Sequence, residues 1–414
     1  MEDLESSRES SPLLTRSART RRRSWWPFGS DLDHDSHWFN VDDEFLDKAE
    51  EDEWDNTCYD IKQITSWRAF GMVKGCAWDN PSILHCMVNS AIVSTLSSLL
   101  VFFKGDLVLF TPDSVQQLGV FLSRFVSLLL GFFLAQSMNW WHRCVREFLK
   151  LLDSVRSMQM QMTALGVRKD RADTIGRYGV MSAWLLHFHL TLDSEDGQGD
   201  VDLKDMWKKL DMVRPSICLP KEKVMLSQYP EPYALLWTWV ASLVGRMAVD
   251  SEIPAMASPT YGRILDLVSN AFSSIREVRA LYAVKVPFIY LHTLAVLVHV
   301  NNILNAVSFG LTLGSAFTQS VEIEDEEVEP IRMSSRRRVK VWTMLCMQFC
   351  FSMIAPMLYL ALLEVCVCIS QPFRYKDARI PAVRLIRALE EDLKNAAAVA
   401  DRPPDWEKPM FKVP

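Results

Sequence analysis

The chain carries none of the short patterns that mark an enzyme. Its 414 residues contain no G-x-G-x-x-G, no G-x-x-x-x-G-K-[ST], no G-x-S-x-G and no H-E-x-x-H. Nothing therefore predicts a dinucleotide site, a phosphate-cradling loop, a nucleophile elbow or a zinc protease. No pair of carboxylates is placed for acid–base work, so an enzyme is not expected. The nine cysteines form no C-x-x-C, which argues against a zinc site or a disulfide framework. Basic residues are not in excess either: 45 Lys and Arg against 51 Asp and Glu give a net charge of −6, and nucleic acid is not an expected partner. Residues 1–60 hold no apolar run of the kind a cleaved signal peptide needs.

Charge itself is missing from long stretches. Pro81 to Phe103, Val286 to Val321 and Val341 to Leu363 contain no Asp, Glu, Lys or Arg, and Ser114 to Trp141 contains only Arg124. A bilayer core of about 30 Å takes roughly 20 helical residues. A soluble helix keeps a polar face along its length, so these four runs predict transmembrane helices at about 82–103, 115–138, 286–312 and 341–363. The Trp-rich run Pro232 to Gly245 is only 14 residues long and predicts a buried or interfacial helix.

Four spans place both termini on one side, together with residues 142–285 as a helical segment. Arg68, Lys74, Arg143, Arg146, Arg276, Arg279, Lys285, Arg374 and Lys376 flank that side, which predicts that it is cytosolic. Arg336, Arg337, Arg338 and Lys340, in an expected loop at 322–340, oppose this orientation. The expected domains are an N-terminal arm at 1–60, a membrane domain at 61–395 and a flexible tail at 396–414. The arm combines a basic cluster with an acidic run, nine of the fourteen positions from Asp42 to Asp55.

Several local patterns occur in a fixed order. Ser66-Trp67-Arg68 and Lys74-Gly75 precede the first span; Gly131-Phe132 and Trp140-Trp141 close the second. Pro287-Phe288-Ile289-Tyr290 opens the third, and Gln371-Pro372-Phe373 follows the fourth, leading to Leu389-Glu390-Glu391-Asp392-Leu393. With the four-span layout, this sequence resembles the bestrophin family of pentameric anion channels over roughly residues 60–395. The C-terminal segment looks more like the bacterial, plant and algal members than the animal ones.

The resemblance implies an all-α homopentamer around one axial pore, with a neck formed by the second span. It implies passive conduction of chloride and other small anions such as bicarbonate. Arg124, Leu128 and Phe132 are spaced i, i+4, i+8 and share a helix face, so they are the expected neck. Ser127, Gly131 and Ala135 form a small-residue stripe beside them. Counting from Trp140-Trp141 instead gives Ser123, Ser127 and Gly131 as the neck, and that register stays open. Gly131, Trp140, Trp141, Pro287, Tyr290, Pro372 and Phe373 are the expected structural residues of the motifs.

Calcium is not expected. Animal members hold it with an acidic cluster after Asn-Pro-Phe-Gly, whereas here Arg374, Lys376 and Arg379 accompany a single candidate ligand, Asp377. Calcium prefers several anionic oxygens among its six to eight ligands. His187 and His189 read as core histidines. Glu9, Leu13 and Leu14 match an acidic dileucine signal, which suggests sorting adaptors and an endosomal or vacuolar membrane; the plasma membrane and a plastid membrane are the other candidates. Two competing readings are a non-conducting membrane scaffold and a secondary transporter, although no internal repeat supports the latter.

Overall fold

The computed structural model describes residues 81–103, 112–196, 202–255, 258–284, 286–325, 332–375 and 378–400. They form ten helices: α1 Pro81–Phe103, α2 Pro112–Ala164, α3 Lys169–Asp196, α4 Leu203–Val213, α5 Pro220–Leu226, α6 Pro232–Val249, α7 Ser258–Ala283, α8 Phe288–Asp325, α9 Arg332–Ile369 and α10 Ala382–Ala400. Among the described residues there is no strand. Parts of α1, α2, α8 and α9 are long and apolar enough to cross a membrane, and the chain is an integral membrane protein.

Three helices run further than the expected spans, α8 among them, which reaches Asp325. The second does not stop at Trp140-Trp141 but continues to Ala164, 53 residues in all, or about 80 Å at 1.5 Å per residue. Nothing breaks it, because no Gly or Pro occurs between Trp141 and Gly166. There the helix ends: Gly166 adopts φ 68°, and the Val167 N–H donates to the Met162 carbonyl at 3.1 Å, a left-handed cap that glycine makes without strain. The basic cluster Arg336–Lys340, expected in a loop, belongs to the first turns of α9. Arg and Lys are good helix formers, so charge alone does not delay a helix start.

The first span is apolar outside and small inside. Its buried residues are Ile83, Ser90, Ser94 and Ser98, while Leu84, Ile92, Leu96 and Leu100 are more than half exposed. That is the pattern of a lipid-facing helix, whose partner must approach closely because lipid tails supply no hydrophobic drive. The partner is α8. A methyl group built on Gly310 would lie 2.3 Å from the Ser94 carbonyl oxygen, and one on Gly314 would lie 2.7 Å from that of Ser98. Deeper in the membrane unit, Val126, Leu130 and Phe133 of α2 meet Leu294 and Val298 of α8 and Leu360 and Leu363 of α9.

The remaining helices bury a large aromatic core outside the membrane. Trp184, Tyr233, Trp237, Phe148, Leu151 and Leu152 are completely or almost completely covered. Polar tips inside it find partners: Trp237 Nε1 donates to Ser182 Oγ at 3.0 Å, and Ser182 Oγ donates to the Tyr233 carbonyl at 2.7 Å. Arg177 of α3 clasps Glu222 of α5 through two bonds of 2.7 Å. Burial alone would raise the Glu222 carboxyl, but the Arg177 guanidinium, the Leu219 N–H and the Tyr178 hydroxyl outweigh it and hold the pKa below the ordinary value. The same surroundings, burial first and then Glu222, push Tyr178 up to about 12, so it acts here as a neutral donor.

His187 is a buried core histidine, and His189 is half-buried. Burial, reinforced by Arg379 and Lys209, lowers the His187 pKa from 6.5 to about 3. Between these values the unfolded chain takes up a proton that the folded chain refuses, so stability falls as the pH drops below 6.5. Each unit of pH costs about 1.4 kcal/mol while only the unfolded form is protonated. Replacing His187 with glutamine should flatten the decline in melting temperature between pH 6.5 and pH 5 in purified protein. An unchanged decline would place the acid sensitivity elsewhere.

Candidate functional site

The second span offers a face that its own subunit does not cover. Val126, Leu130, Phe133 and Ser137 point into the subunit and are buried. On the opposite side Leu128 is 57% exposed and Phe132 63%, and Phe121, Phe125 and Arg124 are exposed with them. At about 100° per residue, Arg124, Leu128 and Phe132 follow one another around a narrow arc. An apolar face of this length is covered by lipid or by a neighbouring chain.

The alternative register meets different surroundings. Ser123 Oγ donates to Asn301 Oδ1 at 2.8 Å, and Asn305 Nδ2 donates to Ser123 Oγ at 3.3 Å. Ser127 Oγ donates to the Ser123 carbonyl at 2.7 Å and lies 3.3 Å from the Tyr359 hydroxyl. Ser123 is thus turned toward α8 of the same subunit, whereas Ser127 touches Tyr359 of α9 but stays exposed. Gly131 is exposed, and a methyl group added there would meet nothing within 4 Å.

Between these helices lies a cavity of about 320 Å³, where Ser123, Arg124, Ser127, Asn305, Thr312 and Tyr359 share the lining with Val120, Phe309 and Ala355. Behind it Asn301 and Asn302 are almost completely buried, at 0% and 2% exposure. Asn302 Nδ2 donates to the Pro356 carbonyl at 3.4 Å, where a proline interrupts the α9 ladder. The Asn301 Nδ2 group is buried without a partner. The sequence reading passed over this asparagine cluster. Its signal was there to find: three asparagines within five positions of an uncharged span, each costly in hydrocarbon unless it has a partner.

A second cavity, about 410 Å³, opens at the other end of the span. Phe132, Gln136, Trp140, Pro287 and Tyr290 line it, together with Ser137, whose buried hydroxyl has no partner. The motif residues gather around this junction. Trp140 Nε1 donates to the Leu281 carbonyl at 3.1 Å, and Trp141 Nε1 donates to that of Ala378 at 2.9 Å. The Tyr290 ring stands edge-on to Phe133 at 5.9 Å. Phe373 is fully buried beside Tyr282, and the Ile380 N–H donates to the Pro372 carbonyl at 2.9 Å. These contacts tie α2 to the segment that follows α9.

The charged motif of α10 is also anchored. Glu390, only 6% exposed, accepts from Trp184 Nε1 at 3.0 Å and forms an ion pair with Arg214, itself 3% exposed. Asp392 pairs with Arg156 at 2.8 Å on the surface. The segment expected to bind calcium in animal members presents cations: Arg374 donates to Gln371 at 3.3 Å and sits over the Tyr375 ring. Among the described residues no group of three His, Cys, Asp or Glu is placed to hold a metal. Asp377, Glu9, Leu13, Leu14 and the Asp42–Asp55 run lie outside the described residues.

No family model and no characterised protein matches the chain by sequence. By fold, it is similar to the crystal structure of a bacterial bestrophin homolog from Klebsiella pneumoniae, with a TM-score of 0.58 and 14% identity over 76% of this chain and 98% of that one. Two single-site variants of that homolog give TM-scores of 0.57, at 14% and 15% identity over 76% and 77% of this chain and 98% and 99% of theirs. The fold is bestrophin-like.

Proposed function

From this bestrophin-like fold we propose that the chain is a passive anion channel, conducting chloride and other small anions such as bicarbonate through the axis of a homopentamer. The observation that supports the reading most is the outward face of α2, where Leu128 and Phe132 stand 57% and 63% exposed. Five such faces around an axis would form two apolar rings one helical turn apart, a constriction that gates by dewetting. Arg124, one turn further along, would supply a positive ring that concentrates anions at the mouth. The register through Ser123 and Ser127 is less favoured, because those hydroxyls already bond within the subunit.

Conduction of this kind needs no covalent chemistry and no metal. The side of the termini is assigned to the cytosol, and Glu9, Leu13 and Leu14 would deliver the channel through sorting adaptors to an endosomal or vacuolar membrane.

Purified protein reconstituted in liposomes under a chloride gradient should give single-channel currents that reverse near the chloride potential, with or without calcium. Leu128→Ala and Phe132→Ala should each raise the open probability several-fold by widening the apolar ring. Silence of the wild type and of both variants would point instead to a non-conducting scaffold.

A further inference from the structure

We infer that the cavity beside α2 is a binding site for one small free anion, a halide or a small carboxylate, held within each subunit. The inference rests on the proposed channel for the anion's route of access, and it gives Arg124, placed above at the mouth of the neck, a second role.

Arg124 is the one formal charge in the four uncharged runs, and among the described residues no carboxylate pairs with it. A guanidinium at membrane depth is costly and is found facing protein or a water-filled cavity. Arg124 borders a cavity. The Ser123, Ser127 and Thr312 hydroxyls already donate to Asn301 Oδ1 and to the carbonyls of Ser123 and Ser308, so the donors in the lining that can adjust include the Asn305 amide and the Tyr359 hydroxyl. The lining contains no acidic side chain.

The Tyr359 hydroxyl is the least committed of these donors. Its two contacts, 3.3 Å to Ser127 Oγ and 3.5 Å to the Ser123 carbonyl, are long for O–H···O bonds, which centre near 2.7–2.8 Å. An anion near Arg124 would draw this hydroxyl and the Asn305 amide into shorter, charge-assisted bonds. At about 320 Å³ the cavity is larger than a bare halide, so the ion would keep part of its water shell or carry a short organic group. Bonds to a charged partner are worth enough that removing Arg124 should weaken binding about tenfold or more.

The test is anomalous diffraction from crystals of the full chain soaked in bromide, alongside the liposome recordings. A bromide peak among Arg124, Asn305 and Tyr359 is expected. It should vanish in Arg124→Gln and fade in Tyr359→Phe, with both variants retaining the wild-type backbone. Absence of the peak, its persistence in Arg124→Gln, or a lipid phosphate that bromide does not displace would each overturn the inference. Currents without the peak would overturn the site and leave the channel standing. A peak without currents would overturn the channel and leave the site.

Discussion

Replacing Glu390 with glutamine is expected to lower the stability of the folded chain by about 3–5 kcal/mol, the cost of removing one partner from a buried ion pair. Glu390 lies at 6% exposure between Trp184 and Arg214, which is 3% exposed. The change keeps the shape of the side chain and an acceptor for Trp184 Nε1 but takes the negative charge away from a buried guanidinium. Because Glu390 belongs to α10, the loss should appear first as release of that helix from α3, read as faster backbone hydrogen exchange over Ala382–Ala400. The neighbouring Asp392 provides the contrast. Its pair with Arg156 is on the surface, with side chains 54% and 32% exposed, and such pairs are worth about 0–1 kcal/mol. Asp392→Asn should therefore barely move the melting temperature. Equal effects from the two variants would show that the buried pair does not hold α10 in place.

The second large effect is expected inside the membrane. Gly310→Ala adds one methyl group, placed 2.3 Å from the Ser94 carbonyl oxygen and 2.6 Å from Ser97 Cβ. The nearer obstacle is backbone, so no rotamer change relieves it and α1 must move away from α8. Overpacking of this kind costs about 1–3 kcal/mol and occasionally more, and the separated helices also lose the close packing that joins small-residue seams in lipid. Gly310→Val should abolish the monodisperse peak of detergent-solubilised protein, and Gly310→Ala should lower its melting temperature clearly. Gly262 in α7 is the control: a methyl group there meets nothing within 4 Å, so Gly262→Ala should be neutral or stabilise by up to about 1 kcal/mol through helix propensity. A Gly310→Ala protein as stable as Gly262→Ala would mean that the seam is loosely packed.

Both halves of the α1–α8 seam are legible in the sequence, but their pairing is not. Ser90, Ser94 and Ser98 recur every four residues along an uncharged run, and Gly310 and Gly314 repeat the same interval, so each stripe is visible alone. Nothing in the order of residues says that one stripe meets the other. The same holds for the cavity beside α2. Arg124 is visible as a lone charge in its run, but its neighbours Asn305 and Tyr359 come from two other helices. Where a helix stops was also harder to read than where it starts. Hydropathy marks the limit of the apolar run near Trp141, whereas the backbone continues until Gly166 supplies a left-handed residue.

The sequence by itself determined that this chain crosses a membrane, and about where. Length and the absence of charge are properties of consecutive residues, and an apolar run of more than 20 residues has few stable alternatives to a spanning helix. Tertiary structure alone decided which side of each helix faces its own subunit. It turned Ser123 inward to Asn301 and Asn305 and left Leu128 and Phe132 bare. It also brought Glu390 to Trp184, 206 positions away. Contacts of that range depend on how the helices pack, and a spacing along one chain segment carries no record of the partner across the interface.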